Sequence, residues 1–275
     1  SSAASDVYKR QLLRVDENAT ITEFVEKPKD REVIRRLVPP DLEAAGDIED
    51  RCLASMGIYI FKTSVLKDFL DNPMMNDFGH NIVPSAVETR KVFGYVFNNF
   101  WEDIGTIRAF YDMNISITQP DPPIVFFAQT APIYTRLRFL PAASLLDIRR
   151  KNARIASGCR IEQAELESCL IGLRSIIGKN VRMSRTMMMG ADYYEHMGPE
   201  QTREPLSDGA PPIGIGDDCR IENTIIDKNA RIGRGCSILN REHHHEYDGP
   251  NEQYYIRDGV VIIPKHATLE PGTEI

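Results

Sequence analysis

The 275-residue sequence lacks any apolar run approaching the roughly 20 residues needed to cross a bilayer, so no membrane-spanning helix is expected. It also lacks an excess of basic charge. The 33 lysines and arginines stand against 40 acidic residues, a net charge of -7, which excludes a nucleic-acid binder held by charge. Its five cysteines (Cys52, Cys159, Cys169, Cys219 and Cys236) form no CxxC pair, so neither a zinc knuckle nor a disulfide framework is indicated. A reducing cytoplasm is the expected compartment, or a plastid if the source is a plant or alga. The first eleven residues, SSAASDVYKRQ, have no periodicity and no apolar core of the kind a signal peptide carries. They resemble translated library-adapter sequence, and residues 1–11 are set aside as a non-native leader. On that reading the natural protein begins upstream and this chain is a fragment.

What is present reads as soluble and globular, with 42% hydrophobic and 27% charged residues. The length suits one large domain or two ordinary ones. Residues 12–118 alternate strand-like and helix-like segments. Strands are expected at Ile21–Glu26, Leu53–Phe61 and Val92–Asn98, which are rich in Val, Ile, Phe and Tyr. Helices are expected at Thr63–Leu70, Ile82–Glu88 and Ile107–Ile117, the last capped by Thr106. Such alternation points to an α/β sheet. Three strands are too few for a free-standing sheet of this type, so part of the sheet is expected to lie outside this chain.

Residues 119–151 change character. They open on the breaker cluster QPDPP and continue as an extended, proline-flanked segment, an ordered linker between domains. From 152 to 275 aliphatic residues, with one methionine, recur at steps of six and sometimes five: 155, 161, 166, 171, 177 and 183, then 215, 221, 226, 232 and 238, then 263, 269 and 275. A small residue stands two positions before most of them, as at Ala153, Cys159, Ala164, Cys169, Cys219, Ala230 and Cys236. This hexapeptide period predicts a β-helix of short flat strands, with the aliphatic residue pointing into a triangular prism. Four of the cysteines fall in the small inward slot and are therefore expected to be buried and inert. Two insertions, 191–212 and 240–259, interrupt the coil.

Taken together, FVEKP (24–28), ASMGIYIF (54–61), NDFGHNIVP (76–84), WEDIGTIRAFYDMN (101–114), APIYTRLRFLP (131–141), MGADYYE (189–195) and IIDKNARIGRG (225–235) closely resemble the glucose-1-phosphate adenylyltransferase family, the ADP-glucose pyrophosphorylases. The resemblance implies a partial α/β, Rossmann-like nucleotidyltransferase domain followed by a left-handed parallel β-helix of hexapeptide repeats. It implies that glucose 1-phosphate attacks the α-phosphate of ATP, with catalysis by positioning and charge neutralisation. On that basis Lys27 holds the sugar phosphate as a point charge, Glu26 accepts hydrogen bonds from sugar hydroxyls, and Ser55 adds a sugar contact. Asp103 is a carboxylate ligand for Mg²⁺. Asp227, Lys228 and Lys265 fall on the family's effector positions, and Arg136 and Arg138 on the linker segment that binds anionic metabolites. The family often has Gln-Pro-Arg where this chain has Arg136-Leu137-Arg138, which favours a multiply charged anion. A homo- or hetero-tetramer is implied. The family's glycine-rich nucleotide loop occurs nowhere in the sequence, so this polypeptide alone is expected to be inactive.

Taken singly, Glu26-Lys27-Pro28 also reads as a strand end, Ser55 as a small packing residue and Asp103 as a turn residue. Other assignments remain open at this point: a non-catalytic regulatory subunit, a uridylyl or guanylyl transferase, or a hexapeptide-repeat acyltransferase. The acyltransferase would need a catalytic histidine, and those available are His80, His196, His266 and the His243–His245 loop. That loop reads as a surface loop, with metal binding as its alternative.

Overall fold

The computed structural model describes residues 10–39, 52–195 and 209–275. Backbone contacts divide the chain into two compact units, Ser1–Trp101 and Glu102–Ile275.

In the first unit, strands β1 (Gln11–Val15), β2 (Ile21–Glu26) and β3 (Leu53–Ala54) form an antiparallel sheet in the order β2-β1-β3. A tight turn joins β1 to β2, because the Asp16 carboxylate accepts from the backbone N–H groups of Asn18 and Thr20, each at 2.8 Å. The central strand, β1, has no counterpart among the expected strands, and its first residue lies in the segment set aside as leader. Helix α1 (Arg31–Leu37) follows Pro28; Asp30 caps it by accepting from the Glu32 N–H at 2.8 Å. Ile34 and Leu37 of this helix bury against Leu12.

Two expected strands are shorter than the sequence suggests. Only Leu53 and Ala54 of 53–61 pair in the sheet, with one further bond from Ser55 N–H to the Gln11 carbonyl at 2.8 Å. Gly57 then turns the chain at φ 69°. Residues 92–98 make a single bridge, Thr20 to Phe93. Ile60 is 99% exposed and Tyr95 89%. These segments have strand composition, but no further strand among the described residues supplies a ladder. The helices agree more closely: α2 is Thr63–Leu70, and α3 (Val83–Thr89) continues a π-turn over Phe78–Ile82 that Asp77 caps at His80 N–H.

In the second unit, α4 (Ile107–Ser116) begins at Thr106, whose hydroxyl accepts from the Ala109 N–H at 3.1 Å. Its Tyr111 and Ile115 bury against Ile225 and Val260 of the coil. The helix therefore packs with the β-helix unit, although its sequence is continuous with the expected domain over 12–118.

Three sheets of six, five and seven strands form the walls of the β-helix, parallel except that the seven-strand sheet ends in an antiparallel hairpin. The hexapeptide residues stack in register, as the period predicts. Leu145, Ile161, Ile177, Ile215, Ile232 and Leu269 are successive Cα partners on one wall. Leu166, Met183, Ile221 and Ile238 stack on the second, and Ile155, Ile171, Met188, Ile226 and Ile263 on the third. Burying each aliphatic side chain in this prism contributes about 1.5–3 kcal/mol. Cys159, Cys169, Cys219 and Cys236 are all buried in the small slots. The corners turn through left-handed backbone, for which Asn and Asp serve, as at Asn180, Asp218 and Asn229.

The coil begins earlier than residue 152. Ser144–Leu146 and Arg149–Lys151, within the expected linker 119–151, pair with Arg160–Glu162 and Ala164–Glu167. The hexapeptide pattern is interrupted there because Arg150 occupies an inward register position, opposite Leu166. It is exposed, as suits a polar residue at the end of a stacked array. The second insertion builds the hairpin Glu246–Asp248 and Tyr255–Arg257, which adds to Val260–Ile263.

Candidate functional site

The sheet order β2-β1-β3 brings three of the expected sugar-site residues to one end of the first unit. Glu26 ends β2 and is the Cα partner of Gln11. Ser55 follows β3 and bonds the Gln11 carbonyl through its N–H. Gln11 thus lies between them. Its side-chain oxygen accepts from the Tyr59 hydroxyl at 2.8 Å, and that hydroxyl lies 3.1 Å from Ser55 Oγ. Tyr59 stacks on Phe78, with ring centroids 5.9 Å apart, so both aromatic segments help hold Ser55. Gly79 closes over the same end. A Cβ there would stand 2.7 Å from Glu26 Oε2 and 2.0 Å from Gln11 Nε2, so only glycine fits without a shift.

Glu26 carries the chemically telling feature. Its Oε2 is buried and has no hydrogen-bond partner among the described residues. A buried carboxylate oxygen left unpaired costs free energy that a bound hydroxyl donor would offset. Lys27 lies beside it, with Nζ 3.4 Å from Glu26 Oε1 and more than half of its side chain exposed. The Lys27 backbone has φ 44°, strained for a non-glycine residue, and its N–H bonds the Arg10 carbonyl at 3.0 Å. The turn places a largely exposed ammonium, paired with Glu26 Oε1, next to a carboxylate oxygen that has no partner among the described residues. Gln11 and Tyr59 were not among the residues singled out in the sequence. Tyr59 is within the ASMGIYIF motif; Gln11 carries no motif signal.

Asp103 belongs to the second unit, in the exposed turn ahead of α4, where its Oδ1 accepts from the Gly105 N–H at 3.1 Å. The other oxygen makes no hydrogen bond or ion pair among the described residues, so the group fits a hard cation that takes one carboxylate and completes its shell with water and phosphate.

The second group of expected residues converges in part. Lys228 Nζ lies 2.8 Å from Asp192 Oδ1 and Lys265 Nζ lies 3.3 Å from Asp192 Oδ2. Asn229 donates to Asp192 Oδ2 at 3.1 Å and accepts from the Asp192 N–H at 2.8 Å. Hydrogen bonds from Lys228 and Asn229, and then Lys265, hold the Asp192 carboxyl well below the usual carboxylate range. Asp227 fixes the turn by accepting from the Lys228 N–H at 2.6 Å. Arg136 and Arg138 lie in an exposed stretch where Tyr134 is 92% and Phe139 100% exposed. Among the described residues no hydrogen bond or ion pair ties either arginine to the lysine pair. Asp192 and Asn229 were missed as site residues, although both lie inside quoted motifs. The end of the first insertion is pinned close by, where Arg231 pairs with Glu195 and donates to the Pro211 carbonyl at 2.9 Å.

The three histidines of the second insertion do not act together. His244 stacks on Tyr247 and contacts Glu242, while His245 lies between Glu246 at 3.8 Å and Asp258 at 3.6 Å. Arg257 reaches the far side of Glu246. His196 is outside the described residues.

Residues 12–120 match the family model described as nucleotidyl transferase, and residues 138–273 match that of the GLGC left-handed parallel beta-helix domain. The second match supplies the hand of the coil. The chain carries a nucleotidyltransferase domain followed by a GLGC-type left-handed parallel β-helix, a pairing consistent with the ADP-glucose pyrophosphorylase family and with a sugar-phosphate nucleotidyltransferase of the glucose-1-phosphate adenylyltransferase type.

Proposed function

We propose that this chain supplies the sugar-phosphate part of a glucose-1-phosphate adenylyltransferase, which forms ADP-glucose and pyrophosphate from ATP and glucose 1-phosphate for glycogen or starch synthesis. The observation that carries the reading is the buried Glu26 Oε2, without a hydrogen-bond partner among the described residues, beside the Lys27 ammonium. A carboxylate acceptor next to a cation suits a ligand with hydroxyls at one end and a phosphate at the other. Ser55, held by Tyr59, adds a third polar contact on the same sheet end. Mg²⁺ would take Asp103 as a ligand and neutralise phosphate charge during transfer. The enzyme would work as a tetramer in the cytoplasm, or in a plastid.

The lysine pair at Asp192 supports regulation by anionic metabolites. Lys228 and Lys265 reach one carboxylate from successive coils, and an anion entering there would exchange for it. Arg136 and Arg138 would add bidentate forks if the effector carries more than one phosphate.

The direct test is calorimetric titration of glucose 1-phosphate into this protein. Lys27→Gln should weaken binding at least tenfold, as expected for loss of a charge-assisted contact to phosphate. Glu26→Gln should weaken glucose 1-phosphate but leave inorganic phosphate unaffected. Equal affinity in wild type and Lys27→Gln would remove the assignment.

A further inference from the structure

Helix α4 packs on the seven-strand wall of the β-helix, and the ends of the first insertion are pinned to Arg231 of the six-strand wall. The five-strand wall carries instead an open groove of about 480 Å³ lined largely by charged residues. Its strands place Arg149, Glu165, Arg182, Arg220 and Ser237 in one cross-strand row. These residues face outward, because Val181, Met183, Cys219 and Ile221 beside them point into the prism and are buried.

Charge along this row is not balanced. Glu165 is shared, 3.6 Å from Arg149 and 3.4 Å from Arg182. In the next row, Lys151 takes Glu167 at 2.7 Å. Arg220 is the direct neighbour of Arg182 and has no carboxylate partner among the described residues. On its other side is Ser237, whose hydroxyl already accepts from Arg241 at 3.1 Å. Like charges directly opposite on neighbouring strands repel. Strands are about 4.8 Å apart, so two guanidinium forks stand side by side at a spacing one phosphate group can bridge.

We propose that Arg182 and Arg220 form an anion site on the outer wall of the β-helix for a small phosphate-bearing ligand, separate from the lysine pair at Asp192. Glu222, two residues along the same strand, borders the groove and confines the site to a compact anion. The site does not depend on the sugar-phosphate assignment.

Inorganic pyrophosphate is a suitable probe, titrated calorimetrically into wild type, Arg220→Gln, Arg182→Gln and the double variant Lys228→Gln/Lys265→Gln. A site that weakens at least tenfold in each arginine variant and persists in the lysine variant supports the proposal. Binding lost only in the lysine variant, or no saturable binding at all, overturns it. Thermal unfolding gives an independent measure, since the exposed Arg220 can be replaced without disturbing the core. Pyrophosphate should raise the Tm of wild type, and Arg220→Gln should lose that gain. The same gain in both proteins would mean that the ligand binds elsewhere.

Discussion

Asp192 neutralises two lysines at once, and its ionisation sets how the cluster responds to pH. Its folded-state pKa is depressed by the hydrogen bonds from Lys228 and Asn229. Its contribution to stability is therefore complete above the ordinary carboxylate value of about 3.9 and is lost only as pH falls through the depressed one. Acidification to pH 4 should not free the lysines, whereas Asp192→Asn should, raising their affinity for inorganic phosphate several-fold at pH 7 in a titration. Unchanged or weaker affinity in that variant would mean that Asp192 positions the lysines rather than competing for them. Glu26, Lys27 and Ser55 were legible in the sequence because each belongs to a short contiguous motif. Asp192 was not, because its partners stand on other turns of the coil, Lys228 and Lys265 being brought to it only by folding. Gln11 was hidden for a different reason: a strand neighbour of Glu26 is identified by register, which the segment set aside could not reveal.

Helix α4 shows how a buried hydrogen bond helps fix an element. Tyr111 is 1% exposed, and its hydroxyl donates to the Arg185 carbonyl at 2.6 Å. Tyr111→Phe keeps the ring against Ile225 and Val260 but leaves that carbonyl without the bond. The expected cost is about 1–2 kcal/mol, read as a lower denaturation midpoint for the second unit. A midpoint unchanged in urea would show that the hydroxyl contributes nothing net. The coil strands were legible because a side chain repeated at one register position must meet its copy on the next turn. The helix at Thr63–Leu70 showed its apolar face and that at Ile107–Ser116 its cap, Thr106. The short helix Arg31–Leu37 and strand Gln11–Val15 escaped notice, being too brief to display a period. The segment Leu53–Phe61 illustrates the converse. Its composition favours a strand, yet pairing requires a neighbour, and only its first two residues have one in the sheet.

At the scale of the molecule, the β-helix is a stack in which each turn touches mainly the turns above and below it, so its stability is a sum of local terms and nearest-neighbour terms. Most wall contacts join residues one turn apart in sequence, as Ile161 to Ile177 and Ile215 to Ile232. The contact from Ile177 to Ile215 instead closes over the whole first insertion. Loop closure costs about 0.6 kcal/mol more for each doubling of length, so this rung and the Ile232–Leu269 rung, which closes over the second insertion, carry the largest entropic penalties in that wall. The Arg231–Glu195 pair and the Asn229–Asp192 bonds sit where they can offset the first of these. In wild type the turns before Gly190 and those after Gly214 should exchange their amides together, and Arg231→Ala should separate the two; continued common exchange in the variant would show that the insertion is no seam. The inserted segment thereby acquires a second meaning. The insertion that brings Asp192 to Lys228 and Lys265 would also stand at the joint between the two blocks, and because both lysines lie after it, an anion that takes them from Asp192 would loosen that joint, registering its arrival as faster opening of the coil.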